Sequence, residues 1–137
     1  MALVGGGGAG NVAGSNPSGV GSSINYIGNH AYATSGIVVV GNSEISLCDF
    51  TTGSEYIVGT AMFSSGTDAS DNYQYSIEFN GSVVDRYHTN GGVVAPDRVN
   101  RQILIPPYTH VQFTALNTTD TSTGNQQLFF QGRVYHA

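Results

Sequence analysis

Asn80-Gly81 stands between two alternating runs, YQYSIEF at 73–79 and SVVDRYH at 82–88. Both central residues of a two-residue hairpin turn need positive φ, which Gly and Asn adopt at least cost, so the pair predicts a hairpin closed at this point. A two-residue loop fixes the register. Phe79 faces Ser82, Ile77 faces Val84, Tyr75 faces Arg86 and Tyr73 faces His88. These eight residues are expected on the core face, with Arg86 stacked beside Tyr75. Gln74, Ser76, Glu78, Asp85 and Tyr87 then occupy the other face.

The same period of two runs through the rest of the chain from residue 22. Strands are expected over 23–27, 36–40, 44–50, 55–63, 72–79, 82–88, 99–105, 110–116 and 127–135, with turn signals between them. No stretch repeats apolar residues at i, i+3 and i+4, so helix is not expected. Pro106 and Pro107 cannot donate to a ladder and must end the strand before them. After them Val111, Phe113 and Ala115 point one way, and Gln112, Thr114 and Leu116 the other. The 127–135 run should close a sheet, with Gly132 marking a bulge or a close backbone approach.

The surface such strands present is unusual in charge. Only 9% of the 137 residues are charged, there is no lysine, and the four basic residues are Arg86, Arg98, Arg101 and Arg133. Polarity comes from Gly, Ser, Thr and Asn, which number 19, 14, 12 and 11. Such neutral outer faces lack the charge that keeps small domains apart, which suits either a surface made to sit against something or a salty, extracellular setting. Four scattered arginines on a chain of net charge −5 offer no footprint for a nucleic-acid backbone or an anionic membrane. No apolar run approaches the ~20 residues of a membrane-spanning helix. The start, MALV, has neither the basic nor the apolar region of a signal peptide, so assembly in a cytoplasm is expected. Cys48 alternates with apolar neighbours and reads as a small buried hydrophobe.

Residues 1–21 form a separate region. Eight glycines fall within 5–21, and GGGGAG at 5–10 satisfies G-x-G-x-x-G. A dinucleotide loop needs a strand before it and a helix after it. Here only Ala2, Leu3 and Val4 stand between Met1 and it, and NVAGSNPSG follows, which cannot continue as a helix. No cofactor is expected. The region reads instead as an extended glycine-rich arm, with Leu3 and Val4 as apolar anchors and Gly5, Gly6, Gly7, Gly8, Val12 and Pro17 along it. Glycine lets backbone approach backbone closely.

Other candidate chemistry is sparse. His30, His88, His110 and His136 come from four segments, without metal-ligand spacing. Asp68 and Asp71 share a loop that lacks the alternating pattern of a calcium site. Glu44, Glu55 and Glu78 define no glycosidase pair, and no serine sits in a nucleophile elbow. Asn80-Gly-Ser and Asn117-Thr-Thr are read as chance matches to the glycosylation sequon. The chain is therefore expected not to be an enzyme, and no metal is expected.

The unit ILIPPYTHVQFTALN at 103–117 and the ending FFQGRVYHA at 129–137 resemble β-sandwich virion proteins of tailed bacteriophages, nearest to head decoration (cement) or head-fibre proteins. The expected fold is all-β: a jelly-roll-like antiparallel sandwich of about eight or nine strands over 22–137, preceded by the 1–21 arm. The resemblance implies a non-enzymatic protein of the virion's capsid surface. Its partners would be copies of itself, as a trimer, and a major capsid protein. The arm would lie along a neighbouring subunit, adding little affinity per contact while wrapping a large surface, with repetition supplying avidity. The alternative is a lectin-like or receptor-binding module of a phage tail or cell surface. It would draw on Tyr26, Tyr32, Tyr56, Tyr87 and Tyr108, with Tyr108 placed against the 117–125 loop.

Overall fold

A computed structural model describes residues 24–65, 72–89, 98–119, 121 and 123–135, apart from the side chains of Ser65, Arg98 and Val99. The arm with Leu3, Val4, Gly5, Gly6, Gly7, Gly8, Val12 and Pro17, the Asp68/Asp71 loop and His136 lie outside the described residues.

Among the described residues every regular element is a strand. They are β1 (Asn25–Ile27), β2 (His30–Thr34), β3 (Val38–Val40), β4 (Ile45–Thr51), β5 (Tyr56–Ser65), β6 (Tyr73–Phe79), β7 (Ser82–His88), β8 (Arg98–Ile105), β9 (His110–Asn117) and β10 (Gly124–Tyr135). All pairs are antiparallel. The large sheet runs β1-β2-β10-β5-β8, with β3 also on β10, and the small sheet runs β4-β9-β6-β7.

The pairings nest around the Asn80-Gly81 turn. β6 pairs β7, β5 pairs β8, β4 pairs β9, and β2 and β3 pair β10. The resulting long double strand folds over so that β10 lies beside β5 and β9 beside β6. This is a jelly-roll-like sandwich. Asn80 (φ 53°) and Gly81 (φ 85°) hold the turn at its tip as expected. β10 sits in the middle of its sheet rather than closing it.

One strand, β2, is absent from the sequence expectation. Its inward residues are Ala31 and Ala33, both buried but too small to give a strong apolar alternation. β2 and β3 form one interrupted strand against β10, broken at Gly36 (φ 65°). Ser35 carries the ladder across the break. Its N–H donates to Leu128 O at 3.0 Å, and its hydroxyl accepts from Leu128 N at 2.8 Å.

Phe50, Phe63, Tyr75, Phe113 and Phe130 fill the space between the sheets, with ring centroids 4.8 to 6.2 Å apart. Burying each such ring stabilises the fold by about 1.5–3 kcal/mol. Tyr75 Oη donates to Gln126 Oε1 at 2.5 Å, satisfying two buried polar groups across the sheets. Val111, Phe113 and Ala115 share one face of β9 as expected, and that face is the buried one; Cys48 is fully buried. β8 ends at Ile105, immediately before the two prolines.

The hairpin register departs from expectation after two pairs, Phe79 with Ser82 and Glu78 with Val83. Phe79 faces Ser82, but Val84 is squeezed out as a bulge, so Ile77 faces Asp85, Ser76 faces Arg86, Tyr75 faces Tyr87 and Gln74 faces His88. A one-residue slip exchanges the two faces of a strand. Arg86 therefore does not stack on Tyr75; its Nε donates to Ser76 Oγ at 2.9 Å on the outer face. Ser82, Val84, Arg86 and His88 are exposed instead of buried, because β7 is the outermost strand of its sheet.

The bulge turns Asp85 inward, toward the other sheet. There it accepts two hydrogen bonds from Arg101 of β8, from Nε at 2.6 Å and Nη2 at 2.8 Å. The same guanidinium lies 5.9 Å from the centre of the Tyr87 ring. The hydrogen bonds Arg101 donates to Asp85, and then the carboxylate's charge, raise the Arg101 pKa further above its already high ordinary value. The pair ties the outer strands β7 and β8 together. An inward charge and a bulge are both devices that discourage an edge from pairing with other chains.

Candidate functional site

The outer face of the large sheet is built by strand parity. Ile27, His30, Arg133, Val58 and Leu104 lie in one row across five strands, and Asn25, Tyr32, Gln131, Thr60 and Gln102 in the next. Ile27 and Leu104 are 68% and 57% exposed. Beside the first row Tyr135 faces Tyr56, and their rings stack at 5.3 Å with planes 15° apart. The Arg133 guanidinium lies 5.6 Å from the Tyr135 ring centre.

Two glycines floor this surface. Gly59 of β5 and Gly132 of β10 are directly opposed. A Cβ on Gly59 would lie 2.5 Å from the Gln131 carbonyl oxygen and 2.8 Å from Phe130 Cζ; one on Gly132 would lie 2.7 Å from Ile57 Cγ2. Gly132 therefore marks a close approach, one of the two outcomes its sequence position offered. Above the glycines lie two shallow depressions that meet at Val58 and Thr60. One, of about 260 Å³, reaches His30, Tyr32 and Gln131; the other, of about 390 Å³, reaches Gln102, Ile103 and Leu104.

The face carries no carboxylate among its strand residues. Asp49, Glu78 and Asp85, the acids that lie in strands, all belong to the small sheet. Among the described residues, the side chains of Tyr32, Thr60, Gln102 and Gln131 make no hydrogen bond within the chain, so their donors and acceptors face solvent. On the small sheet's outer face more of the polar side chains are paired, although Glu78 and Gln112 make no hydrogen bond among the described residues. His110 Nε2 donates to Asp49 Oδ1 at 2.7 Å, Thr114 Oγ1 to Glu44 Oε2 at 3.0 Å and His88 Nε2 to Gln74 Oε1 at 2.8 Å.

The residues singled out from sequence are scattered. Tyr26 is buried among core residues, and burial together with the Glu55 charge pushes its phenol well above the ordinary range. Tyr32 and Tyr56 sit on the large outer face, while Tyr87 belongs to the Asp85–Arg101 contact. Tyr108 does not meet the 117–125 loop. It precedes β9 while that loop follows it, and the ends of an eight-residue strand stand about 24 Å apart. Tyr108 is 73% exposed with φ 52°, and its N–H donates to Gly53 O at 2.8 Å. Asn117 is fully buried, which excludes it as a glycan acceptor in the folded chain. Among the described residues no three His, Cys, Asp or Glu side chains come together as metal ligands. Sequence reasoning missed the Gly59–Gly132 pair as a unit. The signal was there in Gly132, but its partner is chosen by sheet order.

Set against protein-family models and curated proteins, the chain matches none.

Proposed function

We propose that this chain is a non-enzymatic structural protein of a virion, a decoration (cement) subunit of a phage head. It binds the outer surface of the capsid as an oligomer, a trimer, with its 1–21 arm laid along a neighbouring subunit and the major capsid protein beneath. The observation that carries this reading is the outer face of the large sheet. It is broad, its strands carry no carboxylate, and it is lined by hydrogen-bonding side chains left unpaired among the described residues. Groups of this kind form contacts without the desolvation cost of charge. Jelly rolls serve capsids and lectins alike, so the architecture is compatible and the surface carries the argument. The test is co-sedimentation of the full-length protein with capsids of the virus that encodes it. The expected result is saturable binding of an oligomer and a higher rupture temperature of the heads. A monomer that leaves the heads unbound overturns the proposal.

A second reading, a lectin-like or receptor-binding module, is favoured by Tyr108. An exposed aromatic held at positive φ stores strain of about 1–3 kcal/mol, a feature that clusters at recognition sites. A glycan array probed with the wild type and with Tyr108→Ala separates the two readings.

A further inference from the structure

We infer that the outer face of the large sheet seats residues 1–23 of a second copy of this chain. The inference rests on the assembly reading above and names the surface that the arm grips.

The first ground is reach. The described chain begins at Ile24, buried beside β1, which is the outermost strand of this sheet. Twenty-three extended residues cover about 75 Å, whereas five strands span only about 19 Å. The segment is long enough to leave its own domain and still cross a neighbour's sheet.

The second ground is chemical match. Residues 1–23 contain no charged side chain, and the strands of the face carry no carboxylate. Glycine-rich backbone fits into shallow depressions that a chain with side chains would stand off from. Its N–H and C=O groups would there meet Tyr32, Thr60, Gln102 and Gln131, whose side chains are otherwise unpaired within the described chain. Leu3 and Val4 would cover Val58 and Leu104, which are 45% and 57% exposed.

The third ground is that the sheet edges are poor seats. An extended segment most simply joins an edge by strand addition. Here β1 is three residues long, β4 is bulged at Leu47, β7 is bulged at Val84, and β8 carries the inward Arg101. These features discourage strand addition and leave the face.

The test uses the full-length chain. Sedimentation velocity over a concentration series measures self-association of the wild type, Leu104→Arg, Val4→Asp and, as a control on the small sheet, Val83→Arg. Leu104→Arg and Val4→Asp are each expected to weaken association by about tenfold or more, and Val83→Arg by less than about twofold. Thr60→Val, which removes a hydrogen-bonding group without adding charge, is the milder variant should Leu104→Arg disturb the fold; about threefold weakening is expected. Photo-cross-linking from benzoylphenylalanine at position 104, in a mixture of ¹⁵N-labelled and unlabelled protein, identifies the occupant. Mixed-isotope peptides joining position 104 to residues 1–23 support the inference. Same-isotope links alone place the arm on its own face and overturn it. Loss of association in Val4→Asp but not in Leu104→Arg moves the arm elsewhere; it overturns the seat and leaves the assembly reading standing. Loss in Leu104→Arg but not in Val4→Asp means that faces meet directly, which also overturns the seat. A wild type that never associates overturns both.

Discussion

The outer faces of the two sheets solve the same composition in different ways. On the small sheet several polar side chains bond to one another, His110 to Asp49, Thr114 to Glu44, Arg86 to Ser76 and His88 to Gln74, while Glu78 and Gln112 make no such bond among the described residues. On the large sheet the amides and hydroxyls of Tyr32, Thr60, Gln102 and Gln131 stay unpaired within the described chain, beside exposed Ile27, Val58 and Leu104. All the strand-borne carboxylates lie on the small sheet. A polar group already bonded within the chain gains little from a partner, whereas a solvated one can exchange water for a partner at small net cost. The lesson is that low charge alone does not make a surface adhesive; what matters is whether its hydrogen bonds are already spent.

The comparison is broken most severely at the glycine floor. Gly59→Ala puts a methyl against a backbone carbonyl that cannot yield without moving β10, and is expected to cost about 3 kcal/mol. Gly132→Ala meets the Ile57 side chain first, so the loss should be smaller. Urea denaturation reads both, and equal losses would mean that the Ile57 side chain yields no more than the backbone carbonyl does.

Untying the sheets comes next. Asp85→Ala frees Arg101 at the β7–β8 border, where the two side chains are 24% and 38% exposed. Solvent screens such a pair, so a loss of about 1 kcal/mol is expected, shrinking at high salt. A loss that does not change with salt would assign the effect to packing against Tyr87 rather than to charge.

Tyr26→Phe should act in the other direction. Its hydroxyl is buried without a hydrogen-bond partner among the described residues, so removing it is expected to stabilise the fold at neutral pH by up to about 1 kcal/mol. The pH dependence has a definite sign. Burial raises the folded pKa above the ordinary 10.0. Below that value the phenol is neutral in both states and the stability is intact. As pH rises past it the unfolded chain ionises first, and stability falls. The wild type should therefore lose stability above pH 10 more steeply than Tyr26→Phe. Parallel pH–stability curves would remove Tyr26 from the alkaline transition.

The smallest effects sharpen the contrast between the faces. Gln131→Ala on the large sheet should change stability by less than about 0.5 kcal/mol, because it breaks no bond among the described residues. Asp49→Ala on the small sheet breaks the bond to His110 and should cost about 0.5–1.5 kcal/mol. Thermal melts of the two variants side by side decide it, and a larger loss for Gln131→Ala would reverse the assignment.

Much of the fold could be read in advance because it is written locally. Asn80-Gly81 fixed a turn that needs two positive φ angles, and Pro106 and Pro107 ended β8 because neither can donate. The alternation of Val111, Phe113 and Ala115 named one face of β9. The candidate site was far less legible. A period of two says which residues share a face, but not whether another sheet covers that face. Val58, Leu104 and Ile27 look like core residues in the sequence, and only the sheet order turns them outward. Ala31 and Ala33 are too small to mark a strand by apolar alternation, and only packing against β10 makes β2 one.

The amino-acid sequence by itself determined an all-β chain, the hairpin tip at its centre and the places where strands must stop, since each depends on the φ preferences and donors of a few adjacent residues. The tertiary structure alone decided that Val84 bulges and Asp85 turns inward to Arg101, that Gly59 meets Gly132, and that the small sheet's outer face pairs several of its polar groups while those of the large sheet stay unpaired among the described residues. Each of these depends on a partner distant in the chain, and a single-residue shift in pairing is enough to reverse it.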